Sequence, residues 1–168
     1  NSSSVVSWAK GVEVKRGYQT GTTDFVTYGK PYMAQGKPDS TTTKAVSLGE
    51  GGSCIVTFDR PIINGNGDDF MVVENAFGPS FLELGFVEVS SDGIHYFRFP
   101  SVSNSTTNDI QATYIYDLAG KYEVGWGTPF DLDELPNDSL LNKWDVRYVR
   151  IVDVKRGIDI DSQGNIIY

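Results

Sequence analysis

The chain is poor in the residues that build most reactive centres: its 168 positions hold one cysteine and one histidine. A single thiol excludes an internal disulfide, and with one imidazole it excludes the Cys/His sets that hold structural zinc. The oxidising and reducing compartments both stay open on that evidence. Positive charge is also scarce, with 14 Lys+Arg against 22 Asp+Glu and a formal net charge of −8. Duplex nucleic acid and anionic membranes are therefore poor partners, since both need clustered Lys and Arg to neutralise phosphate. No stretch approaches the ~20 apolar residues that span a bilayer. No charged start followed by an apolar run marks a signal peptide, and Asn1-Ser2-Ser3-Ser4 reads as the trimmed edge of a longer or mature protein.

What the chain does have is glycine and aromatics: 18 Gly, nine Tyr, nine Phe and three Trp. Aromatics favour strands and glycines favour turns. An apolar share of 39 % with 21 % charged residues fits one folded domain over residues 1–168. Read for period, the sequence is a string of short apolar alternations broken by Gly, Pro, Asn and Asp. Strands are predicted at Val5–Trp8 with Val12–Val14, at Cys54–Phe58, at Phe70–Glu74, at Tyr114–Tyr116 and at Arg147–Val154. Residues 16–44, rich in Gly, Thr and Tyr, read as a long irregular loop. Two alternating runs between Phe86 and Phe99 flank Asp92-Gly93 and predict a hairpin with a tight turn. Asp131 to Asn142 is the best helical segment, cut short by Pro136. The expected architecture is an all-β, jelly-roll-like antiparallel β-sandwich with long loops and at most short helices.

The hairpin VEVSSDGIHYFRF and the strand VRYVRIVDV resemble segments of galactose-binding-like jelly rolls such as discoidin domains. A fuller resemblance runs through AQGKP (34–38), residues 46–77, FVEVSSDGIHYFRFP (86–100), LAGKYEVGWGTPFDL (118–132) and VRYVRIVDV (146–154). These five ordered blocks are similar to a family of bacterial "cell surface protein" domains of gut Bacteroidota, found in surface-anchored proteins and lipoproteins. The resemblance implies a final Gly-Phe-Asp-rich strand beyond Tyr168, so the sandwich is expected to lack its last strand. It also implies an outer-membrane, extracellular location and attachment by a lipid anchor outside this segment. Similar surface proteins occur beside transporters for corrinoid (cobalamin) uptake, which makes a corrinoid the favoured ligand and an outer-membrane transporter a candidate partner.

The residues themselves favour binding over catalysis. His95 is the only imidazole, and no Gly-x-Ser-x-Gly elbow accompanies it, so it is read as a sheet or surface histidine. Aromatics in Gly-rich loops suit flat apolar ligands and sugar rings. Tyr28, Tyr32 and Met33 in the first loop, with Tyr122 and Trp126 in the later one, are the candidate ligand-binding residues. The competing reading has Trp126 plugging one end of the sandwich, while Trp8 and Trp144, each beside an alternating strand, are placed in the core. Asp159-Ile160-Asp161 followed by Gly164 resembles half a calcium loop, giving Asp159 and Asp161 as candidate metal ligands; a plain Asp/Gly turn explains the same residues. Asp68, Asp69, Glu74, Asp131, Asp133 and Glu134 supply carboxylates for glycoside hydrolysis if two met across a cleft. Turn formation and helix starts account for them more economically. In the resembled family Asp69, Glu74, Asn75 and Asp131 fall within the recurring blocks, which implies a loop-bracing or metal role. The expected function is nutrient capture without a required cofactor. A carbohydrate-binding module and a structural or adhesive surface domain are the alternatives.

Overall fold

A computed structural model describes residues 5–38, 43–74, 82–122 and 126–168. The chain is an all-β antiparallel sandwich, and its only helical pieces among these residues are single 3-10 turns. The larger layer is built from β1 (Gly11–Lys15), β2 (Ser53–Ile62), β10 (Val146–Asp153), β4 (Gly85–Ser90) and β5 (Phe97–Arg98), hydrogen-bonded in that order. A short strand, β8 (Leu118–Ala119), pairs with the start of β4. The facing layer is the pair β3 (Phe70–Val73) and β9 (Gly127–Phe130), and β6 (Val102–Ser103) pairs with β7 (Ile115–Tyr116).

Register explains why these sequences become strands. Val12, Val56, Val149, Val89 and Phe97 lie opposite one another across five strands, and Val14, Cys54, Ile151 and Val87 form the next row. The period-2 alternation therefore places every one of these apolar side chains on one face. Between the rows, Glu13, Ile55, Arg150, Glu88 and Arg98 form a row on the other face. Glu88 is buried there and takes Arg98 on one oxygen and Arg150 on the other. Arg98 stacks over Phe86 at 4.1 Å and Arg150 over Tyr96 at 3.8 Å, so aromatic faces and a carboxylate share each guanidinium.

The facing layer covers only part of the apolar face. Phe70, Phe99 and Phe130 form a three-ring cluster with centroids 4.9 to 5.8 Å apart, and it seals β3 and β9 against the β4–β5 side. Leu132, Leu135 and Leu141 extend that core. A second cluster of Leu82, Leu84, Phe86, Ile115, Leu118, Val154 and Ile167 closes the far end.

Several sequence expectations need correction. The segment Asp131–Asn142 forms no α-helix; a single 3-10 turn at Leu132–Glu134 is all that winds, started by Asp131 accepting the Asp133 N–H. The predicted hairpin exists, but Val89 pairs with Phe97, so its loop is wider than a two-residue turn. Asp92 Oδ1 accepts the N–H groups of Ile94 and His95, and Ser90 Oγ accepts that of Gly93, which holds the wider loop open. Val5–Trp8 is not a strand. Trp144 is 67 % exposed, not core, because it falls on a turn whose N–H is held by the Asn142 side chain. β2 runs further than expected, through Pro61, because its pairing with β10 is irregular there and no ladder N–H is demanded of the proline.

Candidate functional site

A cavity of about 1770 Å³ opens over the part of the apolar face that β3 and β9 leave uncovered. Its floor is the inner face of β2 and β10, with Cys54, Val56, Val149 and Ile151. β3 forms one wall, and the other is built from residues 5–9, 33–36 and 44–50. The apolar floor follows directly from the alternation of the two strands. The loop wall follows from one residue: Arg16 donates to the carbonyls of Tyr28, Gly29 and Ser47, tying the two long loops together. Tyr28 O–H to the Thr43 carbonyl, at 2.9 Å, adds a second tie. Cys54 on the floor is kept a neutral thiol, since burial raises it to about 11 against a weaker opposing pull from Arg16.

The floor does not end in an apolar residue. Val149, Ile151 and Asp153 alternate onto the same face, and Asp153 lines the cavity. Its neighbours across the sheet are glycines: it pairs with Gly85 on β4, and its N–H donates to the Gly52 carbonyl beside β2. Neither can carry a side chain, because a Cβ would lie 2.8 Å from Ile151 Cγ2 at Gly85 and 2.1 Å from the Leu48 carbonyl at Gly52. Burial first, then Glu83, Glu50 and Asp159, push the Asp153 carboxyl up to about 6, with Lys155 acting the other way.

Of the five sequence-derived ligand residues, Met33 borders this cavity. Tyr28, Tyr32, Tyr122 and Trp126 are exposed at 51, 57, 39 and 73 % and stand outside its lining. The reading of Trp126 as a plug of the sandwich is therefore overturned. Trp8 and Tyr18 do line the cavity, and Tyr18 stacks on Phe25 with centroids 4.7 Å apart. The signal for Asp153 was in the sequence as a carboxylate where alternation calls for an apolar side chain. Phe25 carried no comparable signal.

No protein-family model, curated protein or solved structure matches this chain. The site must be judged on its own geometry.

The other candidate groups have local work to do. The Asp161 carboxylate accepts N–H bonds from Ser103, Gln163 and Asn165 and one from the Asn165 side-chain amide. Burial pushes that carboxyl up, but the three backbone donors together outweigh it and hold it below the usual carboxylate range. Asp159 accepts the Lys155 N–H at 2.8 Å. Among the described residues no three of His, Cys, Asp and Glu are grouped to hold a metal ion. Asp69 accepts from Gly65 and Leu132, and Asp131 from Asp133, so these acids brace loops, while Asn75 lies outside the described residues. His95 sits on the hairpin loop, its Nδ1 2.7 Å from Asp92, and that bond is the first of those holding Asp92 well below the usual carboxylate range. Burial and then Asp117 push Glu134 up to about 7. No helix among the described residues is long and apolar enough to cross a membrane.

Proposed function

We propose that this chain is a non-enzymatic ligand-binding domain that captures one large small molecule in the cavity over β2 and β10. The observation that supports it is the size and make-up of that cavity. Pockets for drug-sized ligands run ~300–1,000 Å³, and a larger space floored by valine and isoleucine suits a broad, apolar-faced molecule better than a single sugar ring. A corrinoid such as cobalamin is the class that the family resemblance implies, and it has the required breadth. In this reading the domain sits on the bacterial cell surface, held by a lipid anchor outside the segment, and hands its ligand to an outer-membrane transporter.

Calorimetric titration with cyanocobalamin tests the reading. One-to-one, sub-micromolar binding that weakens several-fold in Met33→Ala and is unchanged in Trp126→Ala is the expected result. A flat trace on folded protein removes the corrinoid. A second reading rests on a different observation: Tyr122 and Trp126 stand exposed beside one another in sequence, as in a carbohydrate-binding surface. Glycan binding lost in Trp126→Ala and kept in Met33→Ala favours it. Binding to neither leaves the adhesive alternative, which needs a protein partner.

A further inference from the structure

The cavity has two chemically different parts, and the second says what kind of ligand the first accepts. Beyond the valine and isoleucine floor, Asp153 faces the cavity between two glycines. Each glycine is preceded two residues earlier by an acid that also lines the cavity: Glu50 before Gly52 and Glu83 before Gly85. β2 and β4 thus enter the sheet with the same Glu-x-Gly pattern on either side of β10, which places three carboxylates around a gap that no side chain can fill. Among the described residues no hydrogen-bond donor or cation bonds the Asp153 carboxylate directly. Lys155 pulls on it through space, yet its Cε packs beside Gly51. The three acids are not grouped to ring a metal ion. Their spacing suits separate donors on one extended organic molecule.

We propose that the Asp153 end of the cavity selects ligands presenting hydrogen-bond donors or positive charge, amides or amines, and rejects ligands of the same shape that present carboxylates. This deepens the capture reading and rests on the same cavity. Carboxylates lose their water on entering a partly closed site, and a bound donor replaces it while a bound anion adds repulsion. Protonation of Asp153, which Glu83, Glu50, Asp159 and Lys155 face, weakens the selection in acid.

A pair of dyes sharing one xanthene ring tests it: a cationic rhodamine ester and anionic fluorescein, followed by fluorescence anisotropy. At pH 7.5 the rhodamine is expected to bind at least tenfold more tightly. That preference should shrink several-fold in Asp153→Asn at pH 7.5 and in the unaltered protein at pH 5. Equal affinity for the two dyes, no binding of either, or a preference untouched by Asp153→Asn overturns the proposal; circular dichroism of the variant guards against misfolding. A flat cyanocobalamin trace with the dye preference intact removes the corrinoid and leaves the donor selection standing. Cyanocobalamin binding with no dye preference does the reverse.

Discussion

Asp153→Asn is expected to stabilise the protein, and only above pH 6. The side chain keeps its shape, and what changes is a charge held on the apolar face of the sheet. The carboxyl is held at about 6 against an ordinary 3.8, so the folded chain keeps its proton where the unfolded chain has lost it. The unfolded state then binds fewer protons between those two values, and stability falls as pH rises through that window. At ~1.4 kcal/mol per tenfold, the full difference is about 3 kcal/mol. Asp153 is only partly buried, and solvent screening reduces that to about 1–2 kcal/mol. Asparagine carries no such penalty, so the variant should melt about 3–6 °C higher at pH 7.5 and level with the unaltered protein at pH 4. Thermal denaturation followed by circular dichroism across pH 4 to 8 checks this. A gain that is equally large at pH 4 would mean that packing, not charge, is responsible; no gain at pH 7.5 would refute the argument outright. A residue that lowers stability in place is also a common mark of a binding site, which is why the same variant is used to test ligand selection.

Phe130→Ala should cost about 3–5 kcal/mol, since the ring is 1 % exposed and joins Phe70 and Phe99; urea unfolding measures it. Trp126→Ala should change stability by less than about 0.5 kcal/mol, the indole being 73 % exposed, and a larger loss in the same urea series would contradict that exposure. Asp161→Ala removes the acceptor of four bonds and should cost about 1–3 kcal/mol with or without calcium. The carboxyl is held low, so this contribution is present above the unfolded pKa and fades as pH falls through the folded one. A rise in melting temperature on adding calcium that Asp161→Ala abolishes would instead establish the metal reading.

The alternation of Val12–Val14, Cys54–Val56, Val87–Val89 and Val149–Ile151 was enough to read an all-β sandwich, because a period of two can bury one face only as a strand. Composition excluded zinc and disulfide chemistry for a reason equally local: the ligands are not in the chain. Candidate sites were less legible. Tyr28, Tyr32, Tyr122 and Trp126 shared glycine-rich surroundings with Met33, yet which of them meets a cavity depends on where Arg16 ties the loops, through carbonyls 12 to 31 residues away. Turn chemistry misled in the same way. Asp92-Gly93 fits a tight turn, but side-chain bonds from Ser90 and Asp92 settle on a wider loop. Asp131–Asn142 looked helical, but it winds for a single turn and its leucines pack into the core from an irregular chain. Asp153 shows the division most plainly. Its place on the inner face follows from counting by two, whereas the glycines beside it and the convergence of Glu50 and Glu83 come from strands 70 to 100 residues apart, brought together only by the pairing of β10 between β2 and β4.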